Sequence, residues 1–377
     1  SGFEDGATSS LVGIFINFCA GTNEEILPAA HVDALLVNPL QHVINEHALA
    51  RTQQMIATAG ASYVMMDSSG FQIHTIENDG GVIGFDPYKP LMCRQPIEIN
   101  IAPSHVVDAA VKLKPTVMVG LDWPIKKLDG RFERDVEFMK KFGFNIKWIQ
   151  ETVDLRARRC PDVLLFLPLQ FYDLNQFRFY EIYLRELTHY GLSMPTRNLD
   201  SAAMIFLLMK FHSLGVSRVH LLGVNTLVSI AIACYFARHF FAWCSLDACT
   251  WRISAQFGQY IDPNTLKRKV FDPSINFNLD SICDCPWCSY RTYFDFLNSS
   301  RTEQTYFLRC HNYFNIRKAG EDCWEHSNSA SELGRCLIAR AGTRNRDINR
   351  LIQSLNMIEI WRGGNINVLK DLLNAQL

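Results

Sequence analysis

The sequence has no excess of charge of either sign, since 37 Lys and Arg residues are matched by 38 Asp and Glu residues for a net charge of −1. The total therefore points to no acidic or basic partner, although a local basic face would be hidden in the sum. The glycine and proline contents are low, at 21 and 14 of 377 residues. This composition excludes collagen-like and low-complexity chains. Hydrophobic residues at 48% predict a globular protein with a large buried core.

Long uninterrupted apolar runs are also lacking. The nearest approach to a bilayer span is VHLLGVNTLVSIAIACYFA, from Val219 to Ala237. Because His220, Gly223 and Asn225 interrupt it, a buried strand, a turn and a core helix are predicted there. No basic, apolar and small-residue series of the signal-peptide type opens the chain. We therefore expect no membrane association and a cytoplasmic location.

The 12 cysteines are too diluted to indicate a disulfide scaffold, so reduced thiols are expected. One group differs from the rest, because CDCPWC brings together Cys283, Cys285 and Cys288, and RCHN then supplies His311. Three thiols and one imidazole are the four ligands of a tetrahedral Zn²⁺ and leave no position for water. The spacing therefore predicts a structural zinc site, with chance clustering as the alternative.

Short apolar segments alternate with helix-like stretches along most of the chain. The predicted strands are 11–18, 63–67, 97–102, 116–122, 162–169, 192–195, 218–224 and 241–247. Their near-continuous hydrophobicity is typical of parallel strands covered on both faces. The pattern predicts an α/β fold, a (β/α)8 TIM barrel, with a doubly wound open sheet as the alternative. The stretch 31–60 is interpreted as helical.

The character of the sequence changes after the last predicted strand, where a polar region containing Pro and Asn precedes the thiol cluster. We predict a catalytic barrel over 1–255, a zinc-binding insertion over 256–325, and C-terminal helices over 326–377 that complete the barrel or the appendage.

Polar residues stand at the ends of several predicted strands, namely Asp67, Asp122, Gln170, Gly223 and Asp247. Each alone could be a turn or capping residue, since Asp favours such positions. The carboxyl ends of barrel strands form one rim, however, and active sites of such barrels are built there. Several acids converging on that rim indicate a catalytic site.

These motifs, in this order, resemble the tRNA-guanine transglycosylase superfamily, whose members are barrels with an inserted Cys3His zinc site. DSSGFQ resembles the loop that carries the family's general acid/base, which implies this role for Asp67 and base contact for Ser68. Phe71 of the same loop could stack on a base or belong to the core. The resemblance of GLDWP and PLQF implies that Asp122 reads the guanine edge and that Gln170 contacts the base.

Three further segments complete the resemblance. GLSM and LLGV are similar to the two glycine-containing pocket segments, which implies base contacts from Gly191, Leu192 and Gly223. SLDACTWR stands where the family carries its nucleophile, which implies Asp247. The implied chemistry exchanges guanine for a 7-deazaguanine through a covalent Asp-glycosyl intermediate.

The sequence departs from the family at Ser69, which replaces a glycine, and after Asp247, where the stretch that grips anticodon nucleotides is reduced to ACTWRIS. DNA is therefore favoured over tRNA as partner, as in the DpdA-type branch of phages and bacterial modification clusters. That branch inserts bases such as 7-cyano-7-deazaguanine into DNA. It would place the protein in a bacterial cell or a phage-infected host cell.

Nucleic-acid phosphates are expected to contact basic residues near the rim and the zinc insertion. The candidates are Arg252, Lys267, Arg268 and Lys269. Free 7-deazaguanine base is the small-molecule partner, and a homodimer or accessory modification proteins are open as others. The alternative functions are a tRNA enzyme, a non-catalytic zinc-bearing nucleic-acid-binding subunit and thiol chemistry through Cys249.

Overall fold

The computed structural model describes residues 13–20, 32–196, 199–223, 226–247, 249–270, 285–288 and 293–373. Its strands are β1 (Gly13–Cys19), β2 (Ala34–Val37), β3 (Tyr63–Met66), β4 (Val82–Gly84), β5 (Met92–Arg94), β6 (Glu98–Asn100), β7 (Val117–Val119), β8 (Leu164–Pro168), β9 (Gly191–Pro195), β10 (Arg218–Leu222), β11 (Trp243–Asp247), β12 (Gln259–Ile261) and β13 (Arg268–Val270). Eight of them close into a barrel in the order β1-β11-β10-β9-β8-β7-β3-β2, and all neighbours are parallel. The predicted TIM-like α/β fold is confirmed.

Helices surround this barrel and continue beyond it. They are α1 (Pro39–His42), α2 (Glu46–Ala59), α3 (Gly70–Asn78), α4 (Pro103–Leu113), α5 (Arg131–Arg159), α6 (Leu174–Leu184), α7 (Ser201–Ser213), α8 (Leu227–His239), α9 (Thr250–Gln256), α10 (Tyr293–Asn298), α11 (Arg301–Glu325), α12 (Ala330–Ala341), α13 (Arg346–Trp361) and α14 (Ile366–Leu373). The apolar run from Val219 forms part of β10 and α8. Among the described residues, no helix is both long enough and apolar enough to cross a membrane.

The strand predicted at 97–102 forms but lies outside the barrel, and one barrel strand lies in a segment predicted to be helical. The segment 97–102 forms β6, which pairs with β4 and β5 in a separate three-stranded sheet outside the barrel. The barrel strand it was expected to supply is β2, whose four residues ALLV are all buried and lie inside the stretch interpreted as helical. A strand this short carries too few residues for its period to stand out from a neighbouring helical pattern.

The interior of the barrel is filled by aromatic side chains. Trp243 packs against Tyr63 and Phe15, with ring centroids 4.5 and 4.9 Å apart. Phe166 joins this cluster and lies against Gly191, where a Cβ atom would come within 2.6 Å of its ring. The barrel is therefore a packed core and not a pore.

Helix α11 fastens the C-terminal part of the chain to the barrel. The Tyr313 hydroxyl donates to the backbone oxygen of Ile16 in β1 at 3.1 Å. Gly320 lets the helix approach the same residue, since a Cβ atom there would lie 2.9 Å from the Ile16 side chain. Arg317 pairs with Asp33 at 3.1 Å, just before β2. The helix lies within the predicted insertion 256–325, and the domain boundaries themselves stay a prediction.

Candidate active site and metal centre

Asp247 ends β11 at the mouth of the barrel, and one of its oxygens has polar neighbours on two sides. The backbone N–H of Gly223, which follows β10, donates to Asp247 Oδ1 at 3.0 Å. The Nε2 atom of His220 lies 3.2 Å from the same oxygen. Both contacts are made to Oδ1, and neither involves Oδ2.

Asp67 follows β3 directly and is anchored by its backbone N–H, which donates to Val37 O at 2.7 Å. Removal of the carboxyl group from water and, after it, the negative charges of Asp247 and Asp122 together raise the pKa of Asp67 to about 7. Burial and neighbouring like charge both favour the protonated form. The acids that follow β3 and end β11 therefore share one electrostatic environment, as expected from their positions in the sequence.

Asp122 lies beyond the end of β7 and is 4% exposed. Its Oδ1 accepts from the Ser68 hydroxyl at 2.5 Å, and its Oδ2 accepts from Gln170 Nε2 at 2.6 Å. Burial raises the pKa of Asp122, while these two hydrogen bonds oppose the rise. Gly70 is required beside this group, because a Cβ atom there would lie 2.5 Å from Asp122 Oδ1. Three of the predicted base-binding side chains thus form one hydrogen-bonded set.

The turn that follows Asp122 is fixed by helix α5. The Asn145 side-chain oxygen accepts from Trp123 N at 2.7 Å, and its amide donates to Trp123 O at 3.2 Å. The buried Lys141 donates to Pro124 O at 2.7 Å. The Trp123-Pro124 pair is therefore part of the scaffold that orients Asp122.

The loop after Asp67 carries a strained residue. Ser69 has φ +69°, a left-handed conformation that glycine adopts without cost and serine does not. Its hydroxyl is buried and has no hydrogen-bond partner within the described part of the chain. Phe71, two positions later, is 61% exposed, so the core interpretation of that residue is wrong.

Of the remaining predicted base contacts, the structure places only Gly223 next to one of the acids at the barrel mouth. Gly191 is the first residue of β9, which ends at Pro195. Gly191 therefore lies at the amino end of the strand and not at the carboxyl end. The side chain of Leu192 is fully buried in the core between strands and helices. Gly223 is exposed at the mouth beside Asp247. A base contact from Gly191 or Leu192 stays a prediction.

A buried polar chain beneath Asp247 is missing from the sequence-based predictions. His220 Nδ1 lies 2.8 Å from Ser245 Oγ, and Ser245 Oγ accepts from Trp243 Nε1 at 3.1 Å. On the adjacent strand β1, Asn17 accepts a hydrogen bond from Tyr63 Oη at 2.5 Å. The available signal is the period of two, since Ser245 and Asp247 alternate with apolar residues and therefore face the barrel interior together.

Two cysteines lie close to these acids. Cys19 ends β1, and Cys249 precedes α9. A hydrogen bond from the Cys19 thiol is the main cause that lowers the pKa of Cys249, and the nearby charge of Arg252 lowers it too. The hydrogen-bond partner of the Cys249 thiol is thus the thiol of Cys19. Arg252, a predicted phosphate contact, is half-buried next to this pair.

Cys285, Cys288 and His311 form a buried cluster that could hold a metal ion, with their ligand atoms all within 4.8 Å of one another. His311 Nδ1 lies 3.1 Å from Cys288 Sγ and 3.6 Å from Cys285 Sγ. The other ring nitrogen, Nε2, donates to Ile261 O at 3.0 Å. A backbone carbonyl that holds one nitrogen and turns the other towards the ligand set is the usual support of a metal-binding histidine. Cys283 lies outside the described residues.

The predicted phosphate contacts beyond Arg252 lie on the hairpin of β12 and β13. Lys267 and Arg268 are exposed there. Lys269 is also exposed but pairs with Asp262, so its charge is partly neutralised. Ile261, which accepts from the cluster histidine, ends β12, so this basic hairpin is joined directly to the metal centre.

Comparisons with known proteins add no family to this picture. No model of a known protein family matches the chain, and no curated protein matches it significantly.

Proposed function

We propose that this protein is a transglycosylase that exchanges guanine in a polynucleotide for a free 7-deazaguanine base. The observation that carries the proposal is the electrostatic interaction between two different carboxyl groups at the barrel mouth. One, Asp67, has a pKa of about 7 and is influenced by the charge of the other, Asp247. An acid that is half protonated near neutral pH beside a second carboxylate is the arrangement that glycosyl transfer with two displacements requires.

In the first displacement, a carboxylate oxygen of Asp247 bonds to C1′ of the target nucleotide. The electron pair of the C1′–N9 bond leaves with guanine, and Asp67 donates its proton to the departing base. The positive charge that develops at C1′ is stabilised by the same carboxylate that becomes bonded to it.

In the second displacement, the incoming 7-deazaguanine gives its N9 proton to the Asp67 carboxylate and forms the new bond to C1′. The ester to Asp247 then breaks, and its electron pair returns to the carboxylate. Two inversions retain the configuration at C1′, and both acids recover their starting protonation states.

Asp122 is suited to select the base. Each oxygen of a carboxylate has two lone pairs, so acceptance from Ser68 and Gln170 leaves one on each oxygen for a ligand. Guanine and 7-deazaguanine offer two adjacent donors, N1–H and N2–H, which adenine lacks. A buried carboxylate left without these donors would be unfavourable, and this disfavours the wrong base.

Zinc is the metal that the donor set fits best. Two thiolates and an imidazole favour Zn²⁺, and Cys283 is the fourth ligand that the spacing supplies. When bound, the ion would add structural stability and no open coordination position. Within the described chain, Cys285, Cys288 and His311 would hold it, and Ile261 O keeps the imidazole oriented.

DNA is the proposed polymer. Its support is the shortened segment after Asp247, which lacks the anticodon-gripping stretch of the resembling tRNA enzymes. Because a duplex hides C1′, the target nucleotide must leave the base stack. Lys267 and Arg268, exposed on the β12–β13 hairpin, are placed to contact phosphates near the metal centre.

The test is incubation of the purified protein with labelled 7-deazaguanine bases and either plasmid or unmodified tRNA. We expect label in DNA, recovered as a deazaguanine nucleoside by mass spectrometry. Asp247→Asn should lower exchange at least about 1,000-fold, because the nucleophile is lost, whereas the exposed Asp162→Asn should not. Label in tRNA alone would identify the tRNA enzyme, and full exchange by Asp247→Asn would overturn the mechanism.

A further inference from the structure

His220 occupies an unusual place in the barrel. It is fully buried in β10, yet its two ring nitrogens both meet polar groups, Ser245 on one side and Asp247 on the other. A histidine that served only to fill the core would be expected to have apolar neighbours or a single backbone partner.

The Asp247 carboxylate favours the His220 tautomer with its hydrogen on Nε2. A bare Nε2 would place a lone pair against the carboxylate oxygen 3.2 Å away. Ser245 Oγ accepts from the Trp243 indole, which can only donate, and in this tautomer the Ser245 hydroxyl donates to His220 Nδ1.

The contact between Nε2 and Asp247 is close but incompletely formed. The two atoms lie 3.2 Å apart, although Nε2 has no well-aligned acceptor within the described chain. Hydrogen bonds in active sites often align only when substrate is bound. The Nε2–H group is therefore close enough to donate to Asp247, and a small rotation of the carboxylate would align the hydrogen bond.

We propose that His220 is a positioning residue for Asp247, which together with the Gly223 amide fixes Oδ1 so that Oδ2 faces the sugar carbon. The inference rests on the proposed function. It adds that the nucleophile is aimed by a chain of side chains, Trp243, Ser245 and His220, that runs up through the barrel interior. The contribution should appear in the rate of glycosyl transfer and not in the binding of either substrate.

The experiment compares His220→Phe, which keeps ring volume without a donor, with His220→Gln, whose amide can still donate to Asp247. We expect His220→Phe to lower kcat on the order of 10–100-fold, with KM for both substrates within about twofold. His220→Gln should have a smaller defect, with a loss in log kcat at most about half that of His220→Phe. Ser245→Ala, which frees Nδ1, should lie between wild type and His220→Phe.

A matched control separates positioning from folding. His105 is a second buried histidine, 8% exposed in α4 outside the barrel, where it accepts from Ala102 N. His105→Phe should lower Tm without changing kcat, whereas His220→Phe and His220→Gln should have similar Tm values but different kcat values.

The outcomes distinguish this inference from the function on which it rests. An inactive wild type overturns both. An active wild type with unchanged kcat in His220→Phe overturns the positioning role alone, and so does a loss of kcat that follows Tm equally in the Phe and Gln variants.

Discussion

The Ser68 hydroxyl donates to Asp122 Oδ1 at 2.5 Å, and this bond ties the loop after β3 to the segment after β7. Ser68 is the residue next to Asp67, so this hydrogen bond connects the proposed proton donor, Asp67, to Asp122, the residue proposed to recognise the base. Movement of either segment is therefore expected to disturb both the recognition of the base and its protonation.

Asp122→Asn should weaken binding of the free base. The amide that replaces one carboxylate oxygen presents N–H groups to the N1–H and N2–H donors, which leaves buried donors unpaired. We expect KM for 7-deazaguanine to rise on the order of 100-fold, with a smaller change for the polynucleotide. Base-exchange kinetics with separate titration of the two substrates measure this, and Ser68→Ala should give a weaker version of the same change.

Unchanged KM values in Asp122→Asn would contradict the proposed role in reading the base. The exposed Asp162→Asn is the matched control, because it makes the same chemical change in the turn before β8, away from the mouth.

Asp67 should make the folded protein less stable at higher pH. Its folded pKa of about 7 exceeds the unfolded value of about 4, so the folded state binds this proton more tightly. The free energy of unfolding therefore falls as pH rises from about 4 to about 7. Asp67→Asn should remove that fall and raise the free energy of unfolding at pH 8 by up to about 4 kcal/mol, measured by chemical denaturation.

Exchange activity should follow the same titration. Because protonated Asp67 is needed for guanine to depart, kcat/KM for the polynucleotide should decline above pH 7 in the wild type. Asp67→Asn should be nearly inactive at every pH despite its higher stability. A variant that is neither stabilised at pH 8 nor impaired in exchange would show that this carboxyl group has neither role.

Removal of the metal should unfold the region around the cluster. We expect about one zinc per chain by metal analysis, and loss of zinc with a lower Tm in Cys288→Ser and His311→Ala. Cys93→Ser provides a matched control, since Cys93 is half-buried in the small sheet away from the cluster. Wild-type protein that contains no metal and is unaffected by chelators would contradict the zinc assignment.

The β12–β13 hairpin should supply part of the affinity for DNA. Lys267→Ala and Arg268→Ala should each weaken binding uniformly across sequences and reduce the salt slope by about one. Lys112→Ala is the control, because Lys112 is exposed at the end of α4, on the side of the barrel where β7 begins. Equal salt slopes for all these variants and the wild type would place the DNA surface elsewhere.

The barrel and the acids at its mouth follow from the sequence because the signal for each is local. A buried parallel strand is a continuous apolar run, and Asp67 and Asp247 stand where such runs end. The exceptions are short elements. β2 has four residues and is hidden between helix-like neighbours, and the apolar run at 97–102 pairs in a small accessory sheet whose existence depends on tertiary contacts.

The interior of the site is harder to predict, because it depends on which strands become neighbours. His220 lies inside an apolar run, where the sequence shows only a polar residue that interrupts the run. Its significance appears only when β10 and β11 pair and bring it opposite Ser245. The strain at Ser69 is likewise not predicted from the residue type, since serine does not favour a left-handed backbone conformation.

The bond from Tyr313 to Ile16 joins residues 297 positions apart, and this distance orders events during synthesis. Until β11 has been synthesised, the chain can supply β1 with only one of its two barrel neighbours, β2. Residues 301–325, which contact β1 from outside the barrel, are made later still. An open strand edge invites pairing with other chains, so we expect a nascent molecule to be most prone to aggregation before β11 closes the barrel.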